Sequence, residues 1–207
     1  MGVMPMFPLG MVLLPGGILP LHVFEPRYRE LVVDCLLEEG EPEFGQALIT
    51  HGSEAGGGDE RAMIGTVAQM IKIEALEDDR YAMVTVGTRR IKINSWLPDD
   101  PYPLADVDDW PDVEPDAPGL AVAVAATHAR VSAALAMAAE LGDVHVDLAE
   151  SEISDDPLVA SYHLASLAPI GPADRYRLLA AEGPMQRLDV LDDVLDDVEA
   201  MLKFRLI

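Results

Sequence analysis

The stretch LPLHVFEPRYREL, residues 19–31, decides the fold because it changes from a strand to a helix within two residues. Apolar residues at every second position from Leu19 to Val23 predict a strand with one buried face. Pro26 has its φ preset for a helix and lacks only an N–H that would be unpaired at a helix start. We therefore predict a strand over residues 18–24, followed directly by a helix.

The predicted helix runs from Pro26 to Gly40 and carries one apolar stripe. The stripe has the spacing i, i+3, i+4, i+7, i+8 and consists of Tyr28, Leu31, Val32, Cys35 and Leu36. Glu25 and Arg29 stand one turn apart, and we expect them to form an ion pair. A short helix with one apolar face, placed between strands, predicts a plug that closes a small sheet.

The rest of the first half consists of further predicted strands, in which apolar and β-branched residues alternate with polar ones between turn residues. These strands cover residues 6–14, 44–50, 63–76, 80–87, 89–96 and 102–110. Strands that do not alternate regularly with helices favour a closed or partly closed sheet. We therefore expect a β pseudo-barrel of about six strands around the plug helix.

The segment PDVEPDAPG, residues 111–119, is rich in proline and acidic residues and predicts a linker. Everything after it has the pattern of amphipathic helices. Their predicted starts are Leu120, Pro157 with Asp156 as the N-cap, Pro172 and Pro184. The expected fold class is α+β, with a β pseudo-barrel over residues 1–115 and a helical bundle over residues 116–207.

The charge of the chain excludes several classes of partner. The 207 residues carry a net charge of -23, which repels nucleic acid and anionic lipid surfaces, so neither is a predicted partner. The apolar stretch LAVAVAATHARVSAALAMAAEL contains His128 and Arg130, which are costly inside a lipid core. A single cysteine, Cys35, suits a reducing compartment. These features predict a cytoplasmic protein; they do not predict an oligomeric state.

Nothing in the sequence predicts catalysis or a cofactor. No glycine begins a G-x-x-x-x-G-K-[ST] phosphate-binding loop, and no serine stands in a glycine-rich elbow. The lysines that a Ser–Lys dyad would need are limited to Lys72, Lys92 and Lys203. His145 with Asp147 is the one histidine–carboxylate pair of interest, and two groups do not make a metal site. We predict no catalytic, cofactor or metal residues.

Three segments carry a resemblance to a known family. They are FPLGMVLLPGGILPLHVFEPRYREL, IGTVAQMIKIEALEDDRYAMVTVGTRRIKI and the terminal RLDVLDDVLDDVEAML. Together they resemble the N-terminal substrate-binding domain of Lon proteases. The resemblance implies a PUA-like pseudo-barrel followed by helices, used in Lon to capture unfolded or damaged polypeptide. The turn EDDR departs from the family because it lacks the expected glycine.

The resemblance and the missing motifs together predict a stand-alone bacterial Lon-domain protein without ATPase or peptidase domains. The expected function is a non-catalytic recognition module for unfolded or exposed polypeptide segments. The alternative is an adaptor or scaffold for one specific folded protein partner. Promiscuous binding of apolar peptides favours the first function, and its absence favours the second.

Two groups of residues are candidate partner contacts. Three aromatic residues near the last predicted strand favour peptide contact, and these are Trp96, Tyr102 and Trp110. Met70, on an earlier predicted strand, is a further candidate because a methionine side chain adapts to different partners. The one basic cluster, Arg89, Arg90 and Lys92, is a candidate anchor for acidic groups of a partner. Both groups have simpler interpretations, as core residues and as charges that protect an edge strand.

Overall fold

The computed structural model describes residues 2–37, 40–52, 58–142 and 153–206. The chain divides into two compact units, Met1–Pro111 and Asp112–Ile207. Among the described residues, the first unit holds all of the strands and one α-helix, and the second unit holds four α-helices. The α+β class predicted from the sequence is confirmed.

The first unit is a six-stranded mixed sheet. Its strands are β1 Gly2–Leu9, β2 Ile18–Val23, β3 Glu43–His51, β4 Glu60–Ala75, β5 Tyr81–Leu97 and β6 Leu104–Asp109, and its helix is α1 Pro26–Leu37. The strand order is β2-β5-β4-β3-β1-β6, and β5 also pairs with β6. The β5–β6 pairing closes five strands into a ring, as the predicted pseudo-barrel requires, and leaves β2 outside that ring.

Strand β5 changes its neighbour halfway along its length. Residues 81–86 pair with β2, whereas residues 91–97 pair with β6. The sequence predicted two strands here, over residues 80–87 and 89–96. The prediction of a break was wrong: a Cβ on Gly87 would lie 2.3 Å from the Leu14 carbonyl oxygen, so this glycine permits a close approach within a continuous strand.

Strand β1 also begins earlier than predicted. Residues 6–14 were expected to form it, but it covers Gly2–Leu9. Its first half pairs antiparallel with β6, from Gly2↔Val107 to Pro5↔Leu104, and its second half pairs parallel with β3. The pairing with β6 extends the strand to Gly2. A local sequence pattern cannot predict this, because the pairing partner lies about 100 residues later in the chain.

Helix α1 buries the predicted stripe, except for one residue. Tyr28, Leu31, Val32 and Cys35 join a core cluster with strand residues, and the Tyr28 ring stacks on Phe7 with ring centres 4.0 Å apart. Leu36 is exposed at the end of the stripe. The expected Glu25–Arg29 pair is wrong. Glu25 precedes the helix and accepts a hydrogen bond from Arg27 at 3.1 Å, whereas Arg29 donates to the carbonyls of Asp78 and Asp79.

The EDDR turn shows how the chain manages without the expected glycine. Asp78 and Asp79 have φ values of 61° and 56°, which is the left-handed region. Aspartate tolerates this region better than most residues because its short side chain bonds to local backbone. The β4–β5 hairpin therefore keeps a tight tip, Glu77–Asp79, without a glycine.

The second unit contains α2 Leu120–Glu140, α3 Pro157–Leu167, α4 Pro172–Leu179 and α5 Pro184–Arg205. All four begin at the predicted residues, and the Asp156 carboxylate caps α3 by accepting from the Leu158 N–H at 2.9 Å. By length and composition alone, α2 could also cross a membrane. Its Arg130 forms ion pairs with Asp192, Asp196 and Glu199 of α5.

Candidate functional site

The basic cluster predicted from the sequence does not form one free surface. Arg89 donates two hydrogen bonds to the Glu43 carboxylate, at 2.8 and 2.7 Å, and one to Asp109 at 2.9 Å. Arg90 is 3% exposed, and its guanidinium lies 4.2 Å from the centre of the Trp110 ring. Lys92 is exposed. Of the three side chains, Lys92 is the one whose charge is accessible to a partner. Arg89 is bound to carboxylates of the sheet unit, and Arg90 is buried against the Trp110 ring.

Two of the predicted peptide contacts are core residues. Tyr102 is 7% exposed and donates its hydroxyl to Asp34 at 2.8 Å. Met70 is 5% exposed, and both side chains belong to the cluster that α1 covers. Because they are buried, neither side chain is accessible to a peptide on the surface of this conformation.

The two tryptophans occupy separate places in the sheet unit. Trp96 packs against the cluster that contains Ile91, and the Arg61 guanidinium lies 4.8 Å from the centre of its ring. Trp110 lies under Arg90, and its backbone N–H donates to the Arg90 carbonyl at 2.9 Å. Both tryptophans are partly exposed, so the fluorescence of both is sensitive to a ligand bound nearby. The structure does not bring the four predicted contact residues together on one surface.

A different apolar surface lies along β2, which the sequence analysis assigned to structure alone. Leu19 and Val23 point into the core, as predicted, and the alternate residues point outward. We call this outward set, Ile18, Pro20, His22 and Phe24, the outer face of β2. Ile18 is 69% exposed and Phe24 is 62% exposed. The available signal was that no residue from 18 to 24 is charged on either face.

Two pockets flank β2. One, of 160 Å³, lies between β1 and β2 and is lined by Phe7–Leu9, Leu21–Glu25 and Tyr28. The other, of 330 Å³, lies over the sheet beside the outer face of β2 and is lined by Pro20–His22, Ala82–Val84 and two residues of β4, Lys72 and Glu74. Most of their lining is apolar, so both suit uncharged side chains.

The shifted pKa values in the sheet unit belong to ion pairs, to a core phenol and to the exposed Asp108, whose pKa is lowered by a hydrogen bond from Asn94. A hydrogen bond from Arg61 lowers the pKa of Asp59, and Arg61 also binds Asp99 at 3.0 Å. Burial raises the pKa of Tyr28 to about 12, so this phenol stays protonated at neutral pH. Neither group faces a second titratable group in a way that suits acid–base catalysis.

Among the described residues, no group of three His, Cys, Asp or Glu side chains could hold a metal ion. His145 and Asp147 lie outside the described residues. In the sheet unit, the two pockets beside β2 and the uncharged strand itself suit an apolar ligand.

Comparison with known proteins identifies relatives of this chain. Residues 3–197 match the family model of the ATP-dependent protease La (LON) substrate-binding domain. The chain is 30% identical over 102 residues to Lon protease of Anaeromyxobacter dehalogenans (strain 2CP-C) and 30% identical over 107 residues to Lon protease 2 of Myxococcus xanthus. These alignments cover 48% and 51% of this chain, but only 12% and 13% of the two relatives.

Solved structures show the same fold. The Lon N-terminal domain protein from Xanthomonas campestris is 25% identical with a TM-score of 0.62, and the alignment covers 92% of this chain and 97% of that one. The N-terminal domain of Mycobacterium avium complex Lon protease has a TM-score of 0.64 at 20% identity, with coverage of 95% and 99%. The second likeness supports the fold alone.

Proposed function

Because the chain belongs to the family of Lon substrate-binding domains, we propose that it is a recognition module for exposed or unfolded polypeptide segments. The observation that carries this proposal is the family match over residues 3–197. The aligned segments span about an eighth of the length of the curated relatives, as their coverage of 12% and 13% shows. What those whole proteins do therefore supports a proposal about binding and nothing beyond it.

Physical features of the sheet unit support polypeptide as the ligand. A binder of many unfolded sequences needs exposed apolar surface that accepts different side chains, and it gains affinity from backbone groups that every peptide shares. Ile18 and Phe24 provide such surface beside two pockets. The net charge of -23 disfavours acidic segments and attracts basic ones.

We propose that recognition is not coupled to catalysis within these 207 residues. The residues contain neither the phosphate-binding loop nor the Ser–Lys dyad that ATP hydrolysis and peptide cleavage would need. The same acidic charge supports the proposal that nucleic acid and anionic membranes are not partners. The single cysteine, Cys35, supports the proposal that the protein acts in the cytoplasm.

Ribonuclease A that has been reduced and carboxamidomethylated tests the binding proposal, because it is a basic polypeptide that cannot refold. Native ribonuclease A is the matched control, with the same sequence in a folded state. Titration is followed by the fluorescence of Trp96 and Trp110 and by co-elution from a sizing column. We expect modest affinity for the unfolded form and none for the folded form.

The salt dependence distinguishes the electrostatic contribution to this binding from the hydrophobic one. Moderate salt should weaken binding of lysine-rich segments, whose attraction to the acidic surface is screened, and should change binding of neutral apolar segments little. An unchanged fluorescence spectrum together with no complex on the column would contradict the proposal. That result would favour an adaptor or scaffold for one specific folded partner.

A further inference from the structure

Strand β2 has one edge without a neighbouring strand in the part of the chain that the structure describes. It pairs only with β5, from Ile18↔Val86 to Val23↔Tyr81. The ring closes without it, through the second half of β5 and β6. An unpaired strand edge presents main-chain N–H and C=O groups in the pattern that another extended chain needs for pairing.

The free edge of β2 lacks protection by charged side chains. Edge strands generally carry charged side chains that prevent pairing with other chains. The segment ILPLHVF, residues 18–24, has no charged residue in a protein of net charge -23. Pro20 removes one N–H donor, which limits pairing at that position but leaves residues 21–24 unaffected. The edge is therefore open over its second half.

The pocket between β1 and β2 provides room beside this open half. It is lined by Phe7–Leu9 on one side and by Leu21–Glu25 on the other, and Tyr28 completes the lining. No pairing joins β1 to β2 among the described residues, so this 160 Å³ pocket separates the two strands. Alternate side chains of a segment lying along β2 would enter the pocket, and the others would lie beside Phe24.

The charges around β2 define which segment fits. Glu74 lies in the same cross-strand row as His22, through Ala82, and Lys72 stands two residues away on β4. Lys72 and Glu74 cancel each other, so the pocket over the outer face of β2 favours uncharged side chains. Beyond it, the excess of acidic residues over the whole chain favours lysine or arginine at the ends of the segment.

We propose that the free edge of β2 binds an extended apolar peptide segment with basic flanks, by adding it as a further strand of the sheet. This inference rests on the proposed function and names the site for it. Main-chain hydrogen bonds to β2 give affinity that is independent of sequence, and the two pockets select for apolar side chains.

The first experiment uses the wild-type chain and a short fluorescent peptide of alternating valine and threonine with lysines at both ends. A second peptide has the same sequence with its central residues N-methylated, so it keeps the side chains and loses the N–H donors. We expect the N-methylated peptide to bind about tenfold more weakly. Equal affinity for both peptides would overturn strand addition, and no variant is needed for that result.

The second experiment removes the exposed apolar groups of the outer face with the double variant Ile18→Ser/Phe24→Ser. The matched control is Val3→Ser on β1, because Val3 is 63% exposed and lies outside the two pockets. Thermal melting confirms that each variant is folded. We expect the double variant to bind both the unmodified peptide and unfolded ribonuclease A about tenfold more weakly and the control to bind as the wild type does.

The outcomes distinguish the site from the function. If the wild type binds neither the peptide nor unfolded ribonuclease A, the proposed function itself fails. If the wild type and the folded double variant bind unfolded ribonuclease A equally, the function stands and the β2 site is wrong. If sedimentation shows a wild-type dimer that becomes a monomer in the double variant, a second copy of the chain occupies the edge, which also overturns the peptide assignment.

Discussion

Arg187 and Asp112, 75 residues apart in sequence, form a buried ion pair in the helical unit. The Arg187 side chain exposes no surface, and the Asp112 side chain exposes 8%. Arg187 also donates to the Ser161 hydroxyl at 2.9 Å, and its guanidinium lies 3.6 Å from the centre of the Tyr162 ring. The Tyr162 hydroxyl bonds to the second Asp112 oxygen. The start of the predicted linker is therefore part of the helical core.

Replacing Arg187 with methionine should lower the free energy of unfolding by about 3–5 kcal/mol, because it leaves the Asp112 carboxylate buried without its cationic partner. Urea unfolding followed by circular dichroism measures the effect. The double variant Arg187→Met/Asp112→Leu should recover part of the loss, since it removes both charges. Arg177→Met is the control: its pair with Asp174 is exposed, so a change below about 0.5 kcal/mol is expected.

Limited proteolysis should cut the linker after its first residues. Asp112 is bound by Arg187, and the Val113 N–H donates to the Glu182 carbonyl at 2.9 Å. Glu114 and Asp116 are exposed, so a glutamyl endopeptidase should cleave after them before it cleaves after Asp112. Mass spectrometry of the early fragments identifies the sites. First cleavage after Asp112 would contradict the burial of this residue in the helical core.

Gly87→Ala should destabilise the sheet unit by about 1–3 kcal/mol, because the added methyl group meets the Leu14 backbone and the change disturbs the junction between the 14–17 segment and β5. Gly171→Ala is the matched control: a Cβ there meets no atom within 4 Å. The melting temperatures of the two variants, measured in parallel by thermal unfolding, test this prediction. Equal melting temperatures would show that the close approach at Gly87 carries no stability.

Asp59→Asn should destabilise the protein at neutral pH by about 1–2 kcal/mol, because Asp59 accepts two hydrogen bonds from Arg61, at 2.7 and 3.2 Å. The pKa of Asp59 is lowered in the folded state, so its ionised form stabilises the fold above the unfolded value of about 3.9. That contribution is lost as the pH falls through the folded pKa.

The difference in unfolding free energy between wild type and Asp59→Asn should therefore narrow below about pH 4. Urea titrations at pH 7 and at pH 3 measure it. Asp174→Asn, in an exposed pair with Arg177, provides the control for general effects of acid. A difference that stays constant between the two pH values would contradict the role assigned to the Asp59 charge.

The elements that the sequence predicted well are those with local causes. Pro26, Pro157, Pro172 and Pro184 each begin a helix where predicted, because the preset φ of proline and its missing N–H act within one turn. The predictions that failed depended on distant partners. Gly87 permits an approach by Leu14, more than 70 residues earlier, and β1 starts at Gly2 because β6 extends it.

The candidate site was harder to predict than the fold for a related reason. Trp96, Tyr102, Trp110 and Met70 have the composition of a peptide-binding surface, yet composition does not distinguish a buried side chain from an exposed one. Tyr102 is in the core, where its hydroxyl group donates a hydrogen bond to Asp34 of α1. The two residues are 68 positions apart in sequence. Conversely, Ile18 and Phe24 are exposed because they lie on the face of β2 that points away from the core.

The pairing of β6 with both β1 and β5 constrains how the protein emerges from the ribosome. Gly2 pairs with Val107, and Ile91 pairs with Asp109, so the ring cannot close until Asp109 has left the exit tunnel. Until then, the nascent chain holds β1 with an open edge for the time needed to synthesise about 100 residues, which is about 5–20 seconds. Nascent chains arrested before Asp109 are therefore expected to remain bound to chaperones, whereas chains a few dozen residues longer can close the ring and be released.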